Sequence, residues 1–450
     1  MNTSIPETVK KISNVISFAD VAHQTLEFDA AFEHSRLVLE LVDTRWMQRL
    51  RNIRQTGNTN FVYMFAEHSR FGHSLGVAYL AILLMNHLEK YSPELVSPYK
   101  NAVAAAALLH DIGHVAPGSH LAEHVWGQDS IVRHESLTKK IIEQDPEIQG
   151  ILNRYGENLS QQVIAILTEQ NGVPHWTKEI ISGGGWNADR GNWSIVDSAM
   201  CNVSYGRYNV SALIGAFCLS ADLHLVLQES RLDALTHFFV ARDSMYRQVY
   251  QHRTLQATDK LNEFVIRRVR DILPNEASEA SAEKQLNDWA IFHDQPMLKV
   301  LLSRNYAEEV PLNCIYEMTE AWWLYHIHRW CFAKDKILRD LASRLRDRKL
   351  FKTIRLASGD YEANRELLNK AEEIAKSCGY DPSYYVAIIN NKDKHRAKKE
   401  EIVKVLLDDG QILSAAEVEP LIRKIMEKSG NERVWLVAPS EVKEKLGRKR

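Results

Sequence analysis

Residues 101–109 of this 450-residue chain read NAVAAAALL, an almost unbroken apolar run that contains five alanines. Alanine has the highest helix propensity, and its small side chain lets other helices approach closely, so the run predicts a buried helix over 101–114. It leads directly into the sequence HDIGH at 110–114, where Gly113 favours a helix end. Adjacent side chains on a regular helix point about 100° apart. His110 and Asp111 can therefore face one ion only if the helix frays or kinks there.

Two more segments supply groups of the same chemistry. Apolar residues recur at three- and four-residue spacing over 71–91, which predicts a helix whose buried stripe includes His73. Asp189 and Arg190 lie within the glycine-rich stretch 181–193, which we expect to be a loop. Two imidazoles and two carboxylates can share one divalent cation. The residues thus predict a metal site and, with it, a metal-dependent hydrolase.

The remaining patterns predict a mainly α protein: a helical core with a small mixed α/β part at the C-terminus. We expect one unit over 1–355, with the metal site within 46–255, and a C-terminal α/β lobe over 356–450. Strands are predicted at 402–407 and 434–439, and residues 275–284 read as a polar linker. Further helices are predicted over 35–53, 134–144, 158–169, 230–266, 312–343 and 362–378.

Composition limits the partners. The 56 basic and 58 acidic residues nearly balance, so no overall field attracts nucleic acid, and an anion site must be local. The five cysteines are scattered without a CxxC pair, which fits a reducing compartment and argues against a zinc–thiolate site. The N-terminus does not read as a signal peptide, and we expect no membrane span. We therefore expect a cytoplasmic protein.

Six ordered motifs resemble the deoxynucleoside triphosphate (dNTP) triphosphohydrolases of the HD superfamily, both bacterial members and the animal enzyme that joins a SAM domain to an HD domain. No SAM domain is recognisable in this chain. The similarity continues through DRKLFKTI at 347–354 and GYDPSYYVAI at 379–388. The motifs are WMQRLRNIRQTG at 46–57, HSRFGHSLGVAYLA at 68–81, LLHDIGHVAPGSH at 108–120, HES at 134–136, NADR at 187–190 and ARDSMYRQVYQH at 241–252.

The resemblance implies four metal ligands, His73, His110, Asp111 and Asp189, for Mn, Fe, Co, Zn or Mg. Asp197 competes with Asp189 for the fourth position, and the register of VSYG at 203–206 favours Asp189. In that register Asn192 stands where the family has Asp and Val196 where it has Arg. These departures leave the ligand set intact but put substrate preference in doubt.

The resemblance also implies the reaction, in which a dNTP is hydrolysed at the α phosphorus to deoxynucleoside and inorganic triphosphate. His120 is the implied acid or nucleophile, oriented by Glu123 and supported by His134, and His114 reaches the α phosphate. Glu123 stands where the family usually has Asp, Thr56 replaces a bulkier residue, and Tyr246 replaces a His of the animal enzyme. The implied substrate-binding residues are Gln55, Arg70, Arg190, Trp193, Asp197, Arg242, Tyr246, Tyr250 and Gln251.

Each assignment has a simpler alternative. A lone histidine is more often a core or capping residue, the tyrosines fit ordinary helix packing, and Arg242 alone fits a surface salt bridge. Asp43, Gln48 and Arg51 match positions that bind an activating nucleotide at a subunit interface, yet they also fit the solvated face of an amphipathic helix. If they bind nucleotide, we expect a homotetramer.

Two other functions stay open. One is an HD phosphohydrolase acting on nucleoside monophosphates or other phosphoesters, and the other is a nucleotide sensor without turnover. The arginine set favours the triphosphate, because a monophosphate needs fewer cations. The biological task, nucleotide-pool balance or antiviral defence, does not follow from the residues.

Overall fold

The computed structural model describes residues 14–127, 132–168, 170–183, 185–357, 359–391, 403–427 and 433–447. The first half is almost entirely helical after an N-terminal hairpin of β1 (Val15–Asp20) and β2 (Gln24–Asp29). The helices that follow are α1 (Glu33–Val42), α2 (Arg45–Arg49), α3 (Arg70–Glu89), α4 (Pro93–Val96), α5 (Lys100–Leu109), α6 (Leu121–Val125), α7 (His134–Gln144), α8 (Pro146–Tyr155), α9 (Leu159–Leu167), α10 (His175–Glu179) and α11 (Ala188–Met200).

The second half adds seven short strands between further helices. The strands are β3 (Phe217–Leu219), β4 (Leu225–Gln228), β5 (Lys352–Arg355), β6 (Ala387–Asn391), β7 (Lys404–Leu406), β8 (Ile412–Ser414) and β9 (Arg433–Ala438). The helices are α12 (Val210–Ile214), α13 (Leu232–Met245), α14 (Arg253–Ile272), α15 (Glu279–Asp288), α16 (Gln295–Leu302), α17 (Tyr306–Glu309), α18 (Leu312–Glu317), α19 (Glu320–Trp330), α20 (Lys336–Arg346), α21 (Tyr361–Ser377), α22 (Pro382–Tyr385), α23 (Ala415–Val418), α24 (Pro420–Glu427) and α25 (Ser440–Gly447). The mainly α prediction is confirmed.

Helix α5 lies at the centre of the core. Residues 102–109 are all at most 1% exposed, and the helix packs against α1, α3 and α9. Helix α11 packs along α3, so α3 is held between α5 and α11. The alanines account for this arrangement because small side chains permit close helix packing. The three helices that carry the predicted metal ligands are therefore neighbours.

The predicted helix over 101–114 is too long. Helix α5 ends at Leu109, with His110 as its C-cap, and a turn follows in which the backbone NH of Ile112 donates to Leu109 O. The helix therefore ends just before His110 and Asp111, which allows both side chains to face the same point. The apolar pattern of the sequence continues past the end of the helix because Ile112, which lies in the turn, is fully buried in the core.

Two further segments that were predicted as single long helices are divided into shorter helices. Residues 230–266 form α13 and α14, separated by a π-helical turn over Tyr246–Tyr250. Residues 312–343 form α18, α19 and part of α20, because both connections begin new helices with side-chain caps, Thr319 and Asp335. The predicted linker at 275–284 is shorter, since α15 already begins at Glu279.

Three small sheets hold the strands together in the part of the chain that is described. Besides the β1–β2 hairpin, one sheet has the order β3-β4-β7-β8 and another the order β5-β9-β6. Sequence patterns predicted β7 and β9 only, and Ile402, the first residue of one predicted strand, lies outside the described residues. Strand β4 pairs in parallel with β7, and β5 pairs with β9, so sheet bonds cross the expected boundary at residue 355. The two-unit division stays a prediction.

Helix α3 is long and apolar enough to cross a membrane by length and composition, which the sequence analysis did not expect. Its most apolar window is 72% buried within the protein, as is common for a core helix. This burial comes from the contacts with α5 and α11.

We predict that Gly113→Ala destabilises the fold. A Cβ at Gly113 would lie 2.4 Å from His134 O and 2.5 Å from Thr138 N, both in the first turns of α7. Overpacking of this kind costs about 1–3 kcal/mol, and urea denaturation measures it. Gly150→Ala is the matched control, because nothing lies within 4 Å of that Cβ in α8. It should stabilise by roughly 0.5–1 kcal/mol, and equal effects at both sites would contradict the packing argument.

Candidate metal centre

Four predicted ligands from three separate stretches meet at one point. His73 lies in the first turn of α3, His110 and Asp111 follow α5, and Asp189 lies in the first turn of α11. Nε2 of His73 is 3.0 Å from Oδ1 of Asp189, and Nε2 of His110 is 3.9 Å from the same oxygen. The Asp111 oxygens lie 3.7 Å from Nε2 of His73 and 3.3 Å from Nε2 of His110. Ligand atoms of His73, His110 and Asp189 lie close enough together to hold one metal ion.

Both imidazoles have a buried Nε2 atom at the candidate centre, and the His110 ring has the tautomer that a metal ligand needs. Nε2 of His73 and Nε2 of His110 are both buried, with no hydrogen-bond partner among the described residues. Nδ1 of His110 donates to Ala107 O at 2.9 Å, which leaves the Nε2 lone pair free. Burial lowers the pKa of His110, so the ring is neutral at pH 7. Buried unpaired nitrogens are costly, and a cation at this point would satisfy both.

The two carboxylates are ionised. Burial acts to raise the pKa of Asp111, but Arg70 and the surrounding histidines bring it well below its ordinary value. Nη1 of Arg70 donates to Oδ2 of Asp111 at 2.5 Å. Burial likewise opposes ionisation of Asp189, yet the contact with His73 lowers the pKa of Asp189 overall. Neutral nitrogen and anionic oxygen donors suit a divalent cation.

Asn192 fixes the second face of His73. The side-chain nitrogen of Asn192 lies 3.0 Å from Nδ1 of His73, and its side-chain oxygen lies 3.0 Å from Nε2 of His23. The same nitrogen of Asn192 donates to His73 O at 3.2 Å, so the Asn192 amide contacts both the ring and the backbone of His73. A partner on the second ring nitrogen sets the orientation of a ligating histidine. His23 belongs to the turn of the N-terminal hairpin, which therefore contributes to the centre. The sequence analysis noted Asn192 only as a departure from the family pattern.

Three further histidines and Glu123 form a group beside Asp111. Oε1 of Glu123 accepts from Nδ1 of His134 at 2.8 Å, and Oε2 of Glu123 lies 3.3 Å from Nδ1 of His120. The His114 and His134 rings stack with centroids 3.8 Å apart, and Nε2 of His114 lies 3.3 Å from Oδ1 of Asp111.

The members of this group differ in charge. Burial lowers the pKa of His134, but the bond to Glu123 outweighs it and the net pKa is raised. Burial and the nearby Arg70 lower the pKa of His114 well below its ordinary value. Burial acts to raise the pKa of Glu123, yet its histidine partners lower it overall. A neutral and a protonatable imidazole therefore lie side by side, next to the candidate metal ligands.

A cleft of about 930 Å³ opens at the centre. This volume is within the usual range for a small-molecule site. Its floor includes His110, Asp111 and Asp189. Predicted residues around it are Gln55, Arg70, His114, His120, His134, Arg190, Trp193, Asp197, Tyr246, Tyr250 and Gln251.

The carboxylate of Asp197 bonds to residues outside the group of candidate ligands. Nε2 of His68 lies 2.7 Å from one of its oxygens, and the Tyr250 hydroxyl donates to the other at 2.5 Å. Tyr250 ends the π-helical turn, and its ring packs edge-on against Trp193 and Tyr246. Single π turns are frequent at functional sites because they redirect side chains. Here the turn directs Tyr250 toward the cleft.

Several predicted residues lie outside the lining of this cleft. The guanidinium of Arg242 lies 5.2 Å from the centre of the Tyr246 ring, behind the aromatic wall. Asp43 and Arg51 are exposed, and Arg51 stacks 3.6 Å from the centre of the Phe71 ring and donates to Gln48 at 2.8 Å. Asp43, Gln48 and Arg51 are close in sequence around α2, and their regulatory role stays a prediction.

The cleft also contains residues that sequence reasoning missed. Arg133 lies at its edge, just before α7, and Asp259 in α14 accepts from the Asn58 side chain at 2.8 Å. Ile388 and Ile389 of β6 form part of the wall, so the C-terminal sheet reaches the cleft. The amphipathic pattern of α14 gave no indication that Asp259 faces a cavity.

Comparisons with known proteins agree with this geometry. Residues 70–181 match the HD domain family. The uncharacterized protein YwfO of Bacillus subtilis is 28% identical over 93% of this chain and 91% of its own length. The deoxynucleoside triphosphate triphosphohydrolase SAMHD1 of Gallus gallus is 37% identical over 31% of this chain and 24% of its own length. A crystal structure of a phosphohydrolase from Bacteroides thetaiotaomicron shares the fold, with a TM-score of 0.77 at 21% identity, over 94% of this chain and 99% of that one.

The match to the HD domain covers residues 70–181 of this chain. All four candidate ligands lie at or near the matched segment: His73, His110 and Asp111 within it and Asp189 eight residues beyond its end. Its similarity to dNTP triphosphohydrolases, expected from the motifs, is confirmed over part of the chain. A hydrolase is the activity class that these similarities support.

We predict that Asp189, and not Asp197, is needed for metal binding. Asp189→Ala should weaken Mn²⁺ binding by more than about 100-fold, because loss of even an outer partner of a ligand costs 10–100-fold. Asp197→Ala should leave the Mn²⁺ affinity within about 2-fold, since its carboxylate bonds to His68 and Tyr250. Isothermal titration calorimetry on both variants measures the difference. The reverse order of effects would assign the fourth ligand to Asp197.

We predict a pH-dependent contribution of Asp259 to stability. Burial raises the pKa of Asp259 to about 7, with the Asn58 hydrogen bond opposing the shift. Between about pH 4 and 7 the folded protein holds a proton that the unfolded chain has lost, so this group's contribution to stability falls as pH rises. Asp259→Asn removes that dependence. Its free energy of unfolding, relative to the natural protein, should rise from pH 4 to 7 and then level off; parallel pH profiles would contradict the shift.

Proposed function

We propose that this protein is a metal-dependent dNTP triphosphohydrolase, which releases deoxynucleoside and inorganic triphosphate. The observation that carries the proposal is that His73, His110 and Asp189 lie close enough together to hold one ion, with two buried imidazole nitrogens that lack hydrogen-bond partners. The Asp111 oxygens lie 3.7 Å and 3.3 Å from these nitrogens. A divalent ion held there would polarise the phosphoryl oxygens and lower the pKa of water. Mn, Fe, Co, Zn and Mg all fit a donor set of two imidazoles and two carboxylates.

The cations beside this centre support a polyphosphate substrate. Arg70 and Arg190 lie in the cleft with the candidate ligands, and Arg133 lies in the same cleft beside His134. Guanidinium groups bind phosphate oxygens through paired hydrogen bonds. The chain as a whole has a net charge of −2, so this attraction is local. A monophosphate would leave part of the basic lining unused.

The histidine group supplies the proton. Water attacks the α phosphorus, the bond from phosphorus to the 5′ oxygen breaks, and that oxygen takes a proton from an imidazolium. His120 is our candidate donor, with Glu123 orienting both His120 and His134. The raised pKa of His134 keeps a proton available in this group near neutrality. His114 is neutral, so it can approach the α phosphate without placing a further positive charge next to Asp111.

The aromatic side of the cleft suits the sugar. Asp197 and Gln55 offer oxygen atoms for a 3′ hydroxyl, and Tyr250 is bonded to Asp197 so that its ring is held in place. A ring fixed in this way leaves little room beneath a ribose, which supports selection of deoxyribose. Trp193, Tyr246 and Gln251 complete this wall.

The proposal also covers regulation and assembly. An activating nucleotide would bind at Asp43, Gln48 and Arg51, in a homotetramer that acts on cytoplasmic nucleotide pools. The exposed Asp43 and Arg51 and the guanidinium stacked on Phe71 support a surface site beside Arg70.

A product assay tests the function. The natural protein is incubated with Mn²⁺ and each of the eight common NTPs and dNTPs, with and without a second nucleotide, and inorganic triphosphate is detected by ³¹P NMR. Triphosphate from dNTPs supports the proposal. Release of orthophosphate from monophosphates would favour the phosphoesterase, and binding without any product would favour the sensor.

We predict that His110→Ala/Asp111→Ala lowers triphosphate release by more than about 100-fold, because half of the donor set is lost. Circular dichroism should show that the helical content is retained, since both residues follow the end of α5. His328→Ala is the control, because this residue in α19 contacts Phe332 and lies far along the chain from the motifs. Activity retained in the double variant would refute the site.

A further inference from the structure

Two loops that line the cleft meet backbone to backbone. One contains Arg54 and Gln55, and the other contains Gly118 and leads to His120. A Cβ at Gly118 would lie 2.5 Å from Arg54 O, and a Cβ at Gly57 would lie 2.8 Å from Gly118 O. No side chain fits between the loops, so their spacing is set by main-chain contact. The relative placement of Gln55 and His120 depends on this contact.

One side chain, that of Glu320, forms hydrogen bonds with the backbone of both loops. Glu320, the first residue of α19, is 9% exposed. Its Oε1 accepts from the backbone NH of Gly118 at 2.6 Å and from that of Arg54 at a longer 3.5 Å. It also lies 2.6 Å from where a Cβ at Gly118 would be. The Gly118 NH is a buried main-chain donor, which needs an acceptor, and the Arg54 NH is partly buried.

The segment around Glu320 is itself anchored to the histidine loop. The guanidinium of Arg49 donates to His114 O at 2.8 Å and to Tyr316 O at 2.8 Å. The backbone NH of Ala116 donates to Met318 O at 3.0 Å. These bonds hold the end of α18 and the start of α19 against residues 114–118. Glu320 therefore reaches Gly118 from a fixed position.

We propose that Glu320 is a positioning residue for the reaction, acting as the acceptor that fixes Gln55 and His120 relative to each other. It lies more than 60 residues beyond the motifs that form the centre, and the sequence analysis did not single it out. This proposal rests on the proposed function for its catalytic consequence, but the bracing of the two loops can be measured by itself. Glu320 acts through the backbone, without contact with the candidate ligands.

The test compares Glu320→Ala with Glu320→Gln, which keeps a side-chain oxygen acceptor. Amide hydrogen exchange should rise at least about 10-fold in residues 54–57 and 118–120 of the Ala variant. With a dNTP as substrate, kcat should fall about 10–100-fold, because small misplacements of reacting groups have effects of this size. Mn²⁺ affinity should stay unchanged, since the ligands lie on other segments. The Gln variant should recover most of the protection and of kcat.

Asp335→Ala is the matched control, a buried carboxylate at the start of α20 that bonds to Leu338 N and to Arg268. It should leave exchange in the two loops and kcat unchanged. Unaltered exchange at Gly118 in Glu320→Ala, or a Gln variant as impaired as the Ala variant, would overturn the proposal. If the natural protein releases no triphosphate, the proposed function fails, whereas exchange at Gly118 still decides whether Glu320 braces the loops.

Discussion

The burial of two imidazole nitrogens without hydrogen-bond partners is the constraint on which this structure depends. Nε2 of His73 and Nε2 of His110 lie against two ionised carboxylates inside a helical core. Such atoms are normally paired, and leaving two of them unpaired costs stability that the rest of the fold must supply. The tight packing of α3, α5 and α11 supplies it. A divalent cation bound to both nitrogens would remove this cost, and the free energy regained would add to the affinity for the cation.

Rigid support extends outward from the centre. Asn192 links His73 to the hairpin turn at His23, Ala107 fixes the His110 ring, and Arg70 holds Asp111. On the other side, Glu123 ties two histidines together. Outer contacts of this kind set the orientation and the protonation of ligands. Through His23 the N-terminal hairpin contacts the residues that support the centre.

The substrate cleft is assembled from parts that lie far apart in the chain. Its walls come from the 55–59 turn, α7, α11, the π turn over Tyr246–Tyr250, α14 and strand β6. Neutral and protonatable histidines lie on one side, and aromatic rings on the other. Charge and shape therefore vary along the cleft.

The sequence by itself determined the helical core and the ligand candidates, because alanine-rich packing and the His-Asp pair are local features. It proposed His73, His110, Asp111 and Asp189 as ligands, whereas Asn192 and His23, which support the His73 ring, lie outside the motifs. Only the tertiary structure decided where α5 ends, which direction Tyr250 takes after a π turn, that Asp259 and Arg133 line the cleft, and that Glu320 bonds to the backbone of two loops that line it. The physical reason is that these outcomes depend on contacts between distant segments, which periodicity along one helix does not record.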